Sequence, residues 1–340
     1  MMQILANTAR LMLAEGKGLL AIDESVATCN KRFAELGIDQ TESARQNWRE
    51  LMITTPNLAE CISGVILYDE TIRQHQQNHS SFSQAISAAG MVPGIKVDTG
   101  SKALAGHEGE QVSEGLDCLR ERLQEYSAMG VRFAKWRAVI TVGEHLPSLA
   151  GIDANAHALA RYAALCQEAG LVPVVEPEVL MTGSHSLAQC QAVTETVLRC
   201  VFGQLARQGV ALEGMILKGN MVLPGLNCEQ QAGLMEVAEA TLNCLLRTVP
   251  AAVPGIAFLS GGQSAQLASA RLQAISSLAP ICTPWCLTFS FARALQQPAL
   301  AIWAGRPENR LAAQQALLHR ARCNQAARRQ EYSPVMETAA

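Results

Sequence analysis

Gly214-Met-Ile-Leu-Lys218-Gly-Asn-Met221 is a short apolar run in which one lysine stands where a buried strand would carry another aliphatic side chain. An ammonium in such a place costs several kcal/mol unless it is paired or gives up its proton. A buried lysine is therefore expected to be held toward its neutral form, and a neutral amine can attack a carbonyl. Lys96 and Lys135 sit in similar runs, although only six of the 27 basic residues are lysines. Surface charge is left largely to arginine, which does not titrate in proteins. The bland alternative for each lysine is a strand-end side chain snorkelling to solvent.

Outward from that run, seven more apolar segments bounded by turn residues read as strands: Leu19–Asp23, Gly64–Tyr68, Gly94–Asp98, Phe133–Arg137, Val172–Glu178, Gly255–Ser260 and Trp285–Ser290, with Gly214–Lys218 as the sixth of eight in chain order. Helical periodicity fills the gaps at Ser113–Met129, Asp153–Ala169, His185–Gln208, Glu229–Arg247 and Gln263–Leu278. Alternating strands and helices imply a parallel sheet with crossover helices, and eight units is the count that closes an α/β (β/α)8 TIM barrel. An open doubly wound sheet is the structural alternative. No linker divides the chain, so residues 1–330 are expected to form a single domain. Residues 1–18 read as an N-terminal helix, Pro298–Gln330 as a closing helical stretch, and residues 331–340 as a flexible tail.

Nearly every predicted strand ends in a polar or ionisable residue: Asp23, Lys96, Asp98, Lys135, Arg137, Glu176, Glu178, Lys218, Ser260 and Ser290. In a parallel barrel these ends meet on one face, where such folds hold their chemistry. Side chains alternate along a strand, so Lys135 with Arg137, and Glu176 with Glu178, point to the same side.

A net charge of −3 disfavours nonspecific nucleic-acid binding. Met1–Leu13 lacks the form of a signal peptide and no run approaches a membrane span, so a cytoplasmic protein is expected, with neither nucleic acid nor membrane as partner. The 11 cysteines include no CxxC pair, the closest spacing being Cys282 and Cys286. Reduced core thiols are expected rather than disulfides or zinc. Among seven histidines only His75 and His79 have an i,i+4 spacing, in a polar stretch away from any strand end, so no metal is expected at the site.

Leu20-Ala-Ile-Asp-Glu-Ser25, Gly94-Ile-Lys-Val-Asp98, Phe133-Ala-Lys-Trp-Arg137, Val175-Glu-Pro-Glu178, Leu217-Lys-Gly-Asn-Met221, Phe258-Leu-Ser-Gly-Gly-Gln263 and Thr288-Phe-Ser290 together resemble the class I fructose-1,6-bisphosphate aldolases. The resemblance runs in register from about residue 15 to residue 325. It implies a Schiff-base lyase of glycolysis and gluconeogenesis that acts on a sugar bisphosphate, with no cofactor, commonly as a homotetramer. Lys218 matches the Schiff-base lysine and Glu176 the acid/base for dehydration, with Glu178 beside it. Two carboxyls that close can split their pKa values so that one stays protonated. Lys135 would hold down the proton affinity of Lys218, and Asp23 would take the proton of the C4 hydroxyl.

Ser260, Gly261 and Gly262, with Ser290 and Arg293, resemble the family's C1-phosphate site, placed where barrels often bind phosphate. Lys96, Ser25 and Arg32 are candidates for the other phosphate, and Arg137 for substrate contact.

The chain departs from the family at several points. Gly219 replaces a common proline, Phe291-Ala292 replaces Tyr-Gly, Val26-Ala-Thr28 replaces Thr-Gly-Ser, and Thr99 stands where lysine is common. No tyrosine ends the chain, which leaves Tyr332 as a possible substitute. The competing expectations are a lysine aldolase for another phosphorylated sugar, a metal-dependent aldolase or hydrolase, and an aldolase-shaped scaffold.

Overall fold

The computed structural model describes residues 2–76, 79–279 and 283–338. Ten strands occur among them: β1 (Gly18–Ala21), β2 (Ile62–Leu67), β3 (Val92–Lys96), β4 (Gly100–Ala103), β5 (Gln111–Glu114), β6 (Phe133–Ile140), β7 (Val172–Val179), β8 (Ile216–Gly219), β9 (Gly255–Phe258) and β10 (Cys286–Phe291). Eight of them close a parallel barrel in the order β1-β10-β9-β8-β7-β6-β3-β2. Each of the eight predicted strands lies in this barrel, whose helices wrap the outside.

Two cores follow from the period-two alternation of strands. One set of side chains, including Leu20, Val65, Ile95, Trp136, Val175 and Leu217, packs outward against the helices. The other set, Leu19, Ala21, Ile66, Phe133, Val172, Val174, Ile216 and Ala257, forms a separate cluster with Leu5, Ala9, Met12 and Leu13. The helix Met2–Met12, amphipathic with Leu5, Ala9 and Met12 on its buried side, thus plugs the N-terminal end of the barrel. Gly94 belongs to this interior because the Phe133 ring fills the space beside it; a Cβ there would lie 2.2 Å from the ring. Advancing two residues from the interior positions Ala21, Phe133, Val174 and Ile216 gives Asp23, Lys135, Glu176 and Lys218. The same alternation that builds the apolar plug therefore delivers four charged groups above it.

Helix boundaries depart from expectation where polar or glycine-bearing segments intervene. The segment Ser113–Met129 is not one helix: Gln111–Glu114 pairs antiparallel with Gly100–Ala103, and the helix runs Leu119–Ala128. Gly115 breaks it with φ 125°, where a Cβ would lie 2.9 Å from the Thr99 backbone nitrogen. This hairpin is mostly exposed and polar, so it carries no apolar period. The N-terminal helix stops at Met12 rather than near residue 18. The closing stretch is two helices, Arg293–Trp303 and Arg310–Arg328, separated by the left-handed pair Ala304 and Gly305. Pro298 lies inside the first of them, because burial of Ala294 and Leu295 carries the helix upstream of the proline.

Residues expected to form a flexible tail instead pack back. Pro334–Thr338 makes a short 3-10 turn, Glu337 pairs with Arg320 at 2.5 Å, and the Tyr332 hydroxyl donates to Glu337 at 2.8 Å. Tyr332 is thereby held against the outer helices, its backbone N–H donating to Gln273, which removes it as a stand-in for a catalytic tail tyrosine. Met1, Cys282, Ala339 and Ala340 lie outside the described residues. The ten described cysteines are all free. Among the described residues no helix is long and apolar enough to cross a membrane.

Candidate active site

Strand ends β1, β6, β7 and β8 bring Asp23, Lys135, Glu176 and Lys218 into one continuous chain of charge. Lys218 Nζ lies 3.0 Å from Glu176 Oε1, and Lys135 Nζ lies 3.3 Å from Glu176 Oε2 and 2.6 Å from Asp23 Oδ2. All four side chains are at most one-tenth exposed. A single carboxylate thus bridges two buried ammonium groups, and a second carboxylate closes the chain. Glu176 Oε2 accepts no aligned hydrogen bond despite its ionic neighbour, so one buried acceptor remains available in the site.

Burial would raise the Asp23 carboxyl, but the Lys135 and Lys218 ammonium groups outweigh it and hold it well below the usual carboxylate range. Burial opposes ionisation of Glu176 in the same way, and Lys135, Lys218 and Arg137 overcome it, so its pKa is also lowered. For Lys135 desolvation favours the neutral form, but Asp23 and Glu176 reverse this and raise its pKa. Lys135 is therefore a permanent cation, while Asp23 and Glu176 are anions at neutral pH.

Glu176 and Glu178, expected as a pair that can split its pKa values, are held by different partners. The β6–β7 register sets Arg137 beside Glu176, and the Arg137 guanidinium binds Glu178 at 2.5 Å. Glu176 contacts Lys135 and Lys218, whereas Glu178 contacts Arg137, so the two carboxylates face different cations.

Lys96, adjacent to Lys135 across the β3–β6 pairing, is tied to Asp98 at 2.7 Å and stands over the Tyr68 ring. Asp98 also accepts from the Arg137 backbone N–H at 3.1 Å, which locks the ends of β3 and β6 together.

The segment after β9 has the form an anion requires. The Gln263 N–H donates to the Ser260 carbonyl at 3.0 Å around Gly261 and Gly262, whose φ values are 56° and 87°. Two consecutive left-handed residues make this a turn that glycine favours and that leaves backbone N–H groups open. Ser290 Oγ is buried without a partner. Arg293 opens the helix Arg293–Trp303 and is exposed, with no ion pair among the described residues. A helix N-terminus, an orphaned hydroxyl and an unpaired guanidinium suit a phosphate group.

Two predicted phosphate ligands are engaged elsewhere. Ser25 caps the helix Val26–Ala34, accepting from the Thr28 N–H at 3.3 Å, and Arg32 binds Glu24 at 2.6 Å. Glu24 is the residue that sequence reasoning passed over. It also binds Arg49 at 2.8 Å and accepts from Gln296 at 2.7 Å, so three helices are fastened to the end of β1 beside Asp23. Its signal was present in the Asp23-Glu24 pair and in Arg32 and Arg49, the two arginines that bind it, whereas Arg45 pairs with Glu70.

A family profile described as "Fructose-bisphosphate aldolase class-I" matches residues 4–340. A probable fructose-bisphosphate aldolase class 1 from Xanthomonas axonopodis pv. citri is 55% identical over 321 residues, covering 94% of this chain and 96% of that protein. The cytosolic fructose-bisphosphate aldolase 5 of Arabidopsis thaliana is 50% identical, over 94% of this chain and 89% of its own length. Among solved structures, fructose-bisphosphate aldolase from Plasmodium falciparum, crystallised with TRAP and a small-molecule inhibitor, superposes with a TM-score of 0.95. It is 42% identical and covers 98% of this chain and 96% of that one. With a profile spanning the barrel and relatives matching at half identity along almost their full lengths, the chain belongs to the class I fructose-bisphosphate aldolase family.

Proposed function

We propose that Lys218 is the amine through which this lyase performs the reversible cleavage of fructose 1,6-bisphosphate to dihydroxyacetone phosphate and glyceraldehyde 3-phosphate. The observation that carries the assignment is the Lys218–Glu176 contact of 3.0 Å inside a buried cluster above the barrel plug. Lys218 gives a proton to the site and its lone pair adds to the C2 ketone. Glu176, with its spare Oε2 acceptor, relays protons so that the carbinolamine loses water to give an iminium. Asp23 takes the C4 hydroxyl proton as the C3–C4 bond breaks, its electron pair moving into the iminium to form an enamine while the aldehyde leaves. Protonation at C3 and addition of water then release the ketone phosphate and free Lys218. Lys135 stays charged throughout and stabilises the anionic side of each step. Arg137 pairs with Glu178 at 2.5 Å beside this cluster.

Ser260, Gly261, Gly262, Ser290 and Arg293 would hold the C1 phosphate. The other phosphate falls to Lys96, Ser25 and Arg32. There it must displace Asp98 and Glu24 from their cations, so that end binds with less net gain than the C1 end. No step needs a metal, and we propose that catalysis is metal-independent, in a cytoplasmic homotetramer as family resemblance implies.

The test is a paired comparison. Lys218→Met should abolish cleavage at all substrate concentrations, whereas Arg293→Ala should raise KM by ten- to a hundredfold, the loss of one charge-assisted bond of about 1.5–3 kcal/mol. Turnover surviving in Lys218→Met would remove the proposed nucleophile, and turnover lost to EDTA would restore a metal mechanism. Fructose 1-phosphate as the better substrate would move the assignment to a related sugar.

A further inference from the structure

The C-terminal helix Arg310–Arg328 and the chain's last turn converge on a group of side chains that the aldolase chemistry does not use. His319 and Cys323 are spaced i,i+4 on one face of that helix, and Glu337 reaches them from the turn Pro334–Thr338. Their ligand atoms all lie within 4.8 Å of one another. The His319 Nε2 to Cys323 Sγ separation is 3.6 Å. An ion about 2.3 Å from sulfur and about 2.0–2.1 Å from an imidazole nitrogen, at a tetrahedral angle, sets those two atoms roughly 3.6 Å apart. The observed spacing, now a thiol–imidazole hydrogen bond, is also that of a ligand pair, and closure of the third position requires the Glu337 carboxylate, within 4.8 Å of both atoms, to turn one oxygen away from Arg320 Nη1.

The surroundings supply what a ligand set needs beyond donor atoms. Glu337 is oriented by Tyr332, which donates to Oε1 at 2.8 Å, and by Arg320, whose guanidinium is fixed in turn by the Ala265 carbonyl at 3.0 Å and by Ser269 at 2.8 Å. Outer hydrogen bonds of this kind hold a coordinating carboxylate in place. Cys323 is buried while His319 and Glu337 are half-exposed, so the group has a dry sulfur side and an open side where water can complete four-coordination. A thiolate with an imidazole selects a borderline-soft divalent ion over magnesium or calcium.

We propose that His319, Cys323 and Glu337 form a zinc-class divalent metal site, separate from the Schiff-base cluster, that clips residues 334–338 onto the C-terminal helix. Binding replaces the thiol proton with a metal–sulfur bond and releases that proton to solvent. The Arg320 guanidinium opposes a second cation beside Glu337, so the site is weaker than a zinc finger and is filled or emptied by free zinc. This departs from the expectation that the cysteines are only core thiols.

Cobalt(II) is the probe, titrated into metal-free protein and followed by absorbance. Wild type should bind one equivalent with a thiolate-to-cobalt charge-transfer band that zinc removes and magnesium does not. Cys323→Ser should lose the band. Glu337→Gln and His319→Gln should keep a band but bind at least tenfold more weakly. If Cys323→Ser fails to fold, the two exposed-side variants carry the comparison. Wild-type protein without the band, or the same band and affinity in all variants, would overturn the site. Limited proteolysis reads the clip directly: zinc should slow cleavage between residues 333 and 338 in wild type and have no effect in Glu337→Gln. Equal rates in wild type with and without zinc would overturn the anchoring role.

Discussion

Glu176 holds the site together through two cations rather than one. Replacing it by glutamine removes the shared carboxylate and leaves the Lys218 ammonium with no anion in contact. Breaking a buried pair of this kind costs about 3–5 kcal/mol, and loss of an acid/base group costs roughly 10²–10⁴ in rate. Glu176→Gln should therefore melt lower in calorimetry and turn over slower at saturating substrate; normal kcat would contradict its role.

The pH dependence follows from the same contacts. Asp23 and Glu176 have folded-state pKa values below those of the unfolded chain. Their stabilisation is complete above the unfolded values of about 4 and is lost as pH falls through the folded ones. Lys135, with a raised value, contributes below about pH 10 and loses that contribution only as pH rises further. Chemical denaturation should show a flat stability contribution from this cluster between roughly pH 5 and 9, with loss below pH 4 that is shallower in Asp23→Asn. Identical acid slopes in the two proteins would contradict the pairing. At this scale the identities of Lys218, Lys135, Glu176 and Asp23 were legible because ionisable residues interrupt apolar runs. Which carboxylate meets which cation was not, since that depends on neighbouring strands and their register.

Elements of the barrel are specified by where bulk is absent. Gly94 leaves the space that the Phe133 ring occupies, and an alanine there would force the ring off its position at a cost of about 1–3 kcal/mol. Gly219, next to Lys218, has nothing within 4 Å of a would-be Cβ and lines a small cavity with Asn220, Thr194 and Thr241. Gly219→Ala should fit and stabilise by about 0.4–1 kcal/mol through the unfolded chain. Opposite shifts in melting temperature for the two alanines are expected, and destabilisation by Gly219→Ala would show that β8 does not tolerate a Cβ beside the lysine. Glu24→Gln should cost about 3–5 kcal/mol, because it leaves the buried Arg49 without its anion and frees Arg32.

Strands were readable as elements because buried parallel strands are continuous apolar runs bounded by turns. The β4–β5 hairpin was not, being polar on both faces, and the helix through Pro298 was misplaced because packing overrode the usual meaning of proline.

For the whole molecule, eight-fold strand–helix alternation was enough to imply closure, and closure is what turns residues 23, 96, 135, 176 and 218 into neighbours. Sequence order alone spaces them across nearly two hundred positions. The C-terminal segment was read as free because short polar ends commonly are, whereas the Arg320–Glu337 pair fixes it from a helix residue that carries no local signal.

The most direct test of a buried Schiff-base lysine is borohydride reduction in the presence of fructose 1,6-bisphosphate or dihydroxyacetone phosphate, followed by peptide mapping by mass spectrometry. The adduct should fall on the peptide containing Lys218, at one per chain, and vanish in Lys218→Met. An adduct on Lys135 or Lys96, or inactivation without any covalent mass, would contradict the account.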